Sequence, residues 1–328
     1  MRGWTGLRSS AGTATRSPMV VYAAKSSSIA AIFGARVRER EEEGNVRLLL
    51  FTRLAYALTR PMLQARASPA QTASDDAAVR STDSDALVSR HCAHSLGYLD
   101  DPAASHFLSP SQRRAHEHRP PLINIGTHAR TWAIDTLVDQ FLDQNVEQPC
   151  QVLSLGAGTD SRFWRLKNKR QQANTVHWPC ANWVEVDFPE QTAPKARAVA
   201  TKPDLKSWLG SSVRLERGGL GLSSEDYTLL PGDLRHLDHL SDSLLVGTTS
   251  TTKPPLDRTL PTLLLLECVL VYLEPEITSS LLTWFCETFH HARGSAIVGY
   301  DPFRLQDQFG TVMKRNLAVS IFPLLRGL

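Results

Sequence analysis

With 328 residues, 42% of them hydrophobic and 21% charged, the chain can bury one large core or two small ones and reads as a soluble globular protein. The formal net charge of +3 is small but unevenly placed: Arg2, Arg8, Arg16, Lys25, Arg36 and Arg38 all precede the first acidic residue, Glu39. Five cysteines (Cys92, Cys150, Cys180, Cys268 and Cys286) are an odd number without C-x-x-C spacing, which fits neither a disulfide framework nor a zinc ribbon and favours a reducing compartment. No apolar run approaches the roughly 18 residues of a membrane span, because Arg47, Arg53 and Arg60 interrupt the best candidate, Val46 through Leu63.

The first 70 residues are rich in Ser, Arg and Ala and resemble a mitochondrial transit peptide, with Leu48 to Leu63 able to form a short apolar helix. A disordered tail or a gene start placed too early is the simpler reading of residues 1–70. The texture changes near Ala70, and residues 71–328 are expected to form the principal domain. In Asp83 to Leu96 the residues Ala86, Leu87, Cys92, Ala93 and Leu96 recur at helical period, with Asp83 or Ser84 as cap. Arg113 to Pro121 reads as a basic loop. A second helix is expected from Thr127 to Leu142, with Trp132, Ile134, Leu137, Val138 and Phe141 facing inward.

Short apolar runs then alternate with helical segments, the pattern of a parallel sheet covered on both faces. The expected strands are Gln151 to Leu155, Trp183 to Val186, Tyr227 to Leu230, Thr262 to Leu266 and Ser295 to Gly299. Lys167 to Pro179 and Gly247 to Pro255 read as loops. Pro275 opens a helix whose stripe is Ile277, Leu281, Leu282, Phe285 and Phe289.

Four strand ends carry the chemistry. Leu153-Ser154-Leu155-Gly156-Ala157-Gly158-Thr159-Asp160 is a strand ending in two glycines, which let backbone approach a ligand at the carboxyl edge of the sheet. Ser161 replaces a third glycine, so a nucleoside site without phosphate is favoured over a pyrophosphate site, with an ordinary strand-to-helix turn left open. Asp187 ends the next strand, where a carboxylate can accept both ribose hydroxyls or simply cap a helix. Asp233 follows the third strand and Glu267 the fourth, so that Gly156, Asp187, Asp233 and Glu267 meet at one rim. Acids attract a sulfonium cation and repel phosphates, which favours S-adenosylmethionine over NAD or ATP. Cys268 reads as a core thiol and not a nucleophile. His91, Cys92, His94, His116 and His118 lack a second pair at ligand spacing, so no metal site is expected. Lys167, Lys169 and Arg170 read as a solvated basic loop able to steer an acidic tail.

Several ordered blocks resemble the leucine carboxyl methyltransferases. They are Val79 to Ala86, Ser95 to Tyr98 with Asp101 and Pro102, Ile125 to Arg130, Leu155 to Asp160, Glu185 to Pro189, Glu267 to Leu273 and Arg304 to Asn316, together covering Asp75 to Leu317. The resemblance implies an α/β class I S-adenosylmethionine-dependent methyltransferase: a Rossmann-like doubly wound sheet with added N-terminal helices. It implies a monomer, cytoplasmic, with no nucleic acid or membrane partner, whose acceptor is the C-terminal leucine of the protein phosphatase 2A catalytic subunit. By the matching motifs, Arg90 and Arg130 would clamp the methionyl carboxylate of the cofactor, and Gly156 would approach its backbone. Asp187 would hold the ribose, Asp233 and Leu234 would frame the adenine, and Glu267 would face the amino end. Arg80 and Tyr272 would orient the acceptor.

Two departures stand out. Arg90 occupies a position where the family more often has lysine. The family also continues into further helices and a strand pair completing the sheet, so the C-terminal part of the sheet is expected to be missing, with the fifth strand an open edge. A related methyltransferase of transfer-RNA wybutosine synthesis, and a protein that binds the phosphatase tail without methylating it, are the alternative readings.

Overall fold

The computed structural model describes residues 19–25, 69–115, 117–173, 177–210, 212–246 and 253–302. The expected helix at Leu48 to Leu63, His116 and the block Arg304 to Asn316 lie outside them.

One sheet organises the domain. Its strands are β1 (Met19–Lys25), β2 (Cys150–Leu155), β3 (Cys180–Asp187), β4 (Arg214–Glu216), β5 (Gly221–Ser223), β6 (Tyr227–Pro231), β7 (Thr262–Glu267) and β8 (Ala296–Pro302), in the spatial order β1-β8-β7-β2-β3-β6-β5-β4. The five strands from β8 to β6 are parallel. Chain order reverses between β2 and β7, and that switch opens a crevice at the carboxyl ends of the strands. All five strands expected from sequence are present: β2, β6 and β7 are one residue longer than expected, β3 is longer at both ends, and β8 starts one residue later and runs three residues further.

Nine helices among the described residues cover the sheet: α1 (Pro69–Ser95), α2 (Ala104–Phe107), α3 (Pro110–Ala115), α4 (Pro121–Gln144), α5 (Arg162–Ala173), α6 (Pro189–Thr201), α7 (Pro203–Lys206), α8 (Leu237–Leu245) and α9 (Pro275–Thr288). Alternation along the strands sorts side chains onto two faces. Val152, Trp183, Leu263 and Leu265 pack with Ile134, Val138 and Phe141 of α4 and with Phe163 and Trp164 of α5. Leu153, Leu155, Val184, Leu264 and Leu266 pack instead with Leu240 and Leu244 of α8 and with Leu281, Leu282 and Phe285 of α9. Burial on both faces is why these strands read as unbroken apolar runs.

Several expectations need correction. Helix α1 begins at Pro69, so Asp83 lies inside it and is no cap. Helix α4 begins at Pro121, where proline at the first helical position loses no hydrogen bond, and it absorbs the end of the expected basic loop; α3 takes part of the rest. Within α4, Ile134, Val138 and Phe141 are buried, but Trp132 is 57% exposed. Lys167 to Ala173 is helix α5, not loop. There Lys167 pairs with Asp226, Lys169 with Asp139, and buried Arg170 with Asp139 and Asp143. The edge expected to be open is covered: β1 runs antiparallel along β8 from Met19 opposite Pro302 to Lys25 opposite Ala296. Strands β4 and β5 were unforeseen, being too short to show a period. No helix among the described residues is long and apolar enough to cross a membrane.

Phe163 sits at the middle of an aromatic cluster, with ring centroids 5.0 Å from Tyr227, 5.3 Å from Trp164 and 6.0 Å from Trp183. Phe163→Ala is expected to lower unfolding free energy by about 3–5 kcal/mol in urea titration. Trp132→Ala, on the exposed face of α4, should change it by no more than about 0.5 kcal/mol.

Candidate active site

The turn after β2 is the floor of the crevice. Gly156 (φ +63°) and Gly158 (φ +48°) both occupy the left-handed region, and a Cβ at Gly156 would lie 2.7 Å from Val269 Cγ2. The amides of Gly156 and Ala157 donate to the Val186 carbonyl at 2.8 and 3.2 Å, which bends the turn toward β3. Asp187 then receives the Gly158 amide on Oδ2 and the Phe188 amide on Oδ1, each at 2.6 Å. Burial pushes its carboxyl up to about 6, against those two hydrogen bonds and with help from the nearby charge of Asp83.

The wall is built from charge pairs. Arg162, 2% exposed, donates from Nε to Asp135 at 2.6 Å, from Nη1 to Asp160, and from Nη2 to Glu267 Oε2 at 2.8 Å. The other oxygen of Glu267 accepts Arg130 Nε at 2.5 Å. Burial alone would raise Glu267, but Arg130, Arg162 and Arg90 overcome it and hold the carboxyl well below the usual range. Arg90 donates to the carbonyl and hydroxyl of Thr159 at 2.7 and 2.9 Å and stands 3.9 Å from Asp160. Its Nε is buried without a hydrogen-bond partner among the described residues.

On the β6 side, both oxygens of Asp233 are engaged by Arg235, which also binds Asp76 of α1 through two hydrogen bonds of 2.8 and 2.9 Å. Burial raises the Asp233 carboxyl, but the hydrogen bonds from Arg235 outweigh it and leave it lowered. Leu234 packs at the margin of the α8–α9 core. Arg80 lies 3.8 Å from Glu190 and, with Arg235, flanks the Phe188 ring at 5.9 and 5.6 Å.

On the β7 side, Cys268 takes φ +56°, an uncommon conformation for a non-glycine residue, and its amide donates to the Tyr300 carbonyl at 2.7 Å. The bend turns the chain into a single 3-10 turn, Leu270–Tyr272. Burial pushes the Cys268 thiol and the Tyr272 hydroxyl up to about 12 each, so both stay protonated at neutral pH. Thr82 of α1 lies beside the Tyr272 hydroxyl.

Of the nine residues singled out from sequence, Gly156, Asp187, Asp233, Leu234 and Glu267 stand at or just after the carboxyl ends of β2, β3, β6 and β7, Tyr272 lies in the turn after β7, Arg130 pairs with Glu267, and Arg80 and Arg90 reach Glu190 and Asp160. Arg162, Asp160, Asp135 and Asp83 were missed as site residues. Arg162 and Asp160 stand inside or just after the glycine motif, but a buried arginine and a surface arginine look alike in a string of letters.

A sheet with five parallel central strands, a G-x-G turn after β2, an acid at the tip of the neighbouring strand and a charged wall has the architecture of a class I methyltransferase fold. The chain belongs to the leucine carboxyl methyltransferase family, whose model matches residues 78–286. Leucine carboxyl methyltransferase 1 of Cryptococcus neoformans is 42% identical over 79% of this chain and 75% of its own length. That of Aspergillus fumigatus is 37% identical over 75% of this chain, which spans only 64% of the fungal protein. Human tRNA wybutosine-synthesizing protein 4 is 35% identical over 75% of this chain and 34% of its own length.

Two outcomes follow. Arg162→Met removes the cation that three carboxylates share, and unfolding free energy should fall by about 3–5 kcal/mol in urea at neutral pH. Because the folded-state carboxyl of Asp187 is raised to about 6, the stability it contributes is present below about pH 4 and lost as pH rises through about 6. Asp187→Asn should flatten that part of the urea midpoint against pH curve.

Proposed function

We propose that the chain transfers a methyl group from S-adenosylmethionine to the C-terminal leucine α-carboxylate of the protein phosphatase 2A catalytic subunit, forming a methyl ester. We assign the activity to residues 71–328. The observation that carries this reading is the pairing of Arg130 with Glu267 beside the glycine turn, with Arg90 held on Thr159 and its Nε unsatisfied. Two guanidiniums and a carboxylate suit the two ends of an amino acid, and Asp187 at the tip of β3 suits a ribose.

When bound, S-adenosylmethionine supplies a methyl group activated by its sulfonium. Arg90 and Arg130 would hold its carboxylate; since Arg130 uses Nε on Glu267, its terminal nitrogens are the ones that meet a second carboxylate. Gly156 would let the backbone come close, Asp187 would accept ribose hydroxyls, Asp233 and Leu234 would border the adenine, and Glu267, kept anionic by its arginines, would face the amino group. An acceptor carboxylate is already ionised at neutral pH, so no general base is needed. What remains is to strip water from that anion and aim it at the methyl carbon. Tyr272, protonated at neutral pH, can donate a hydrogen bond to the acceptor, and Arg80 can oppose its charge.

Labelled donor incubated with purified phosphatase catalytic subunit should yield one base-labile methyl group per chain, abolished when the terminal leucine is deleted. Label that goes to transfer RNA instead would support the reading suggested by the wybutosine-synthesis relative, and label on neither would reject transfer altogether. Arg80→Ala should lower kcat/KM for the acceptor about tenfold or more while donor affinity stays within about twofold; equal losses in both would remove Arg80 from the acceptor side.

A further inference from the structure

The face that helix α1 turns toward the crevice is charged. Asp76, Arg80, Asp83, Leu87 and Arg90 recur at intervals of three and four residues, so they share one stripe. Of these only Leu87 joins an apolar cluster, with Val88, Ala104 and Leu108. Toward the N-terminus from that anchor the helix is held by polar contacts: Asp76 to Arg235, Arg80 to Glu190, and Asp83 to two elements at once. Asp83 Oδ1 accepts the Thr159 amide at 2.8 Å and the Thr159 hydroxyl at 2.7 Å, and Oδ2 accepts Gln191 Nε2 of α6 at 2.8 Å.

The fit at Asp83 is close. A Cβ on Gly158 would lie 2.3 Å from Asp83 Oδ1, so the second glycine of the turn is what lets the helix settle onto it. Consecutive amides of that turn thereby donate to two different carboxylates, Gly158 to Asp187 and Thr159 to Asp83. Of the stripe contacts, the Arg80 pair is long and its partner is largely exposed, which makes it weak. The Asp83 carboxylate, with three hydrogen bonds to two elements, is the contact by which the stripe grips the glycine turn at the floor of the crevice, while Asp76 holds Arg235 on the β6 side.

We propose that Asp83 is a positioning residue that latches helix α1 over the donor site, so that release of this contact sets how fast donor and demethylated product exchange. The proposal rests on the reading of the crevice as a donor site, and two measurements separate the two ideas. The first is amide hydrogen exchange of the ligand-free chain by mass spectrometry, comparing wild type with Asp83→Ala and Asp83→Asn. Amides of residues 78–86 should exchange about tenfold faster in Asp83→Ala, with those of β2, β7 and α5 unchanged. Asp83→Asn, which keeps an oxygen for Thr159 but loses an acceptor for Gln191, should fall between. No change in residues 78–86, or an equal rise throughout the chain, would overturn the latch.

The second is stopped-flow binding of S-adenosylhomocysteine. In Asp83→Ala both association and dissociation should speed up by about the same factor, leaving Kd changed less than either rate. Slower association with faster dissociation would mean that Asp83 merely supports the binding surface, which also overturns the latch. If wild type fails to bind S-adenosylhomocysteine, the donor-site reading fails, and the exchange data alone decide whether Asp83 holds the helix down.

Discussion

One buried guanidinium holds the candidate site together. Arg162 reaches Asp135 on α4, Asp160 in the glycine turn and Glu267 at the tip of β7, so a single side chain ties three separate segments to one point. In a low-dielectric interior each of these charges is costly unless it is paired, and three carboxylates with one arginine would still leave excess negative charge. Arg165, which pairs with Asp135 and Asp101, together with Arg130 and Arg90, supplies the balance. The wall of the crevice is therefore a shared charge lattice, in which the state of any carboxylate depends on several neighbours.

A second network braces the neighbouring strand. Glu185, fully buried, accepts from Lys195, from the Tyr227 hydroxyl at 2.8 Å and from the Trp183 indole at 3.2 Å, while Lys195 also donates to the Asp160 carbonyl at 2.8 Å. It fixes the end of β3 against α6 and steadies the same Asp160 that Arg162 grips. Asp187, two residues along, is thus presented from a rigid strand.

The sheet and its rim were legible in the sequence for a physical reason. Strands buried on both faces must be apolar throughout, and a turn that brings backbone close to a ligand must contain glycine, so both leave marks in the letters. Gly156, Asp187, Asp233 and Glu267 could be placed because each follows such a strand. Helix α1 was read too short because its inward stripe is built from Asp76, Arg80 and Asp83, and a search for apolar periodicity passes over a helix that docks by charge. Short β4 and β5, and the β1–β8 pairing between segments far apart in the chain, leave no local pattern. The ion-pair partners of Arg162 were hidden for the same reason: pairing is a property of the fold.

The separation of those partners has a bearing on how the protein is made. Arg162 meets Glu267 across 105 positions of chain, and Arg130 meets the same carboxylate across 137. As the polypeptide leaves the ribosome, the glycine turn and Asp187 emerge well before β7, and until that strand inserts beside β2 the two arginines lack their common anion. The wall of the crevice is complete only once β7 lies beside β2 and brings Glu267 to both arginines.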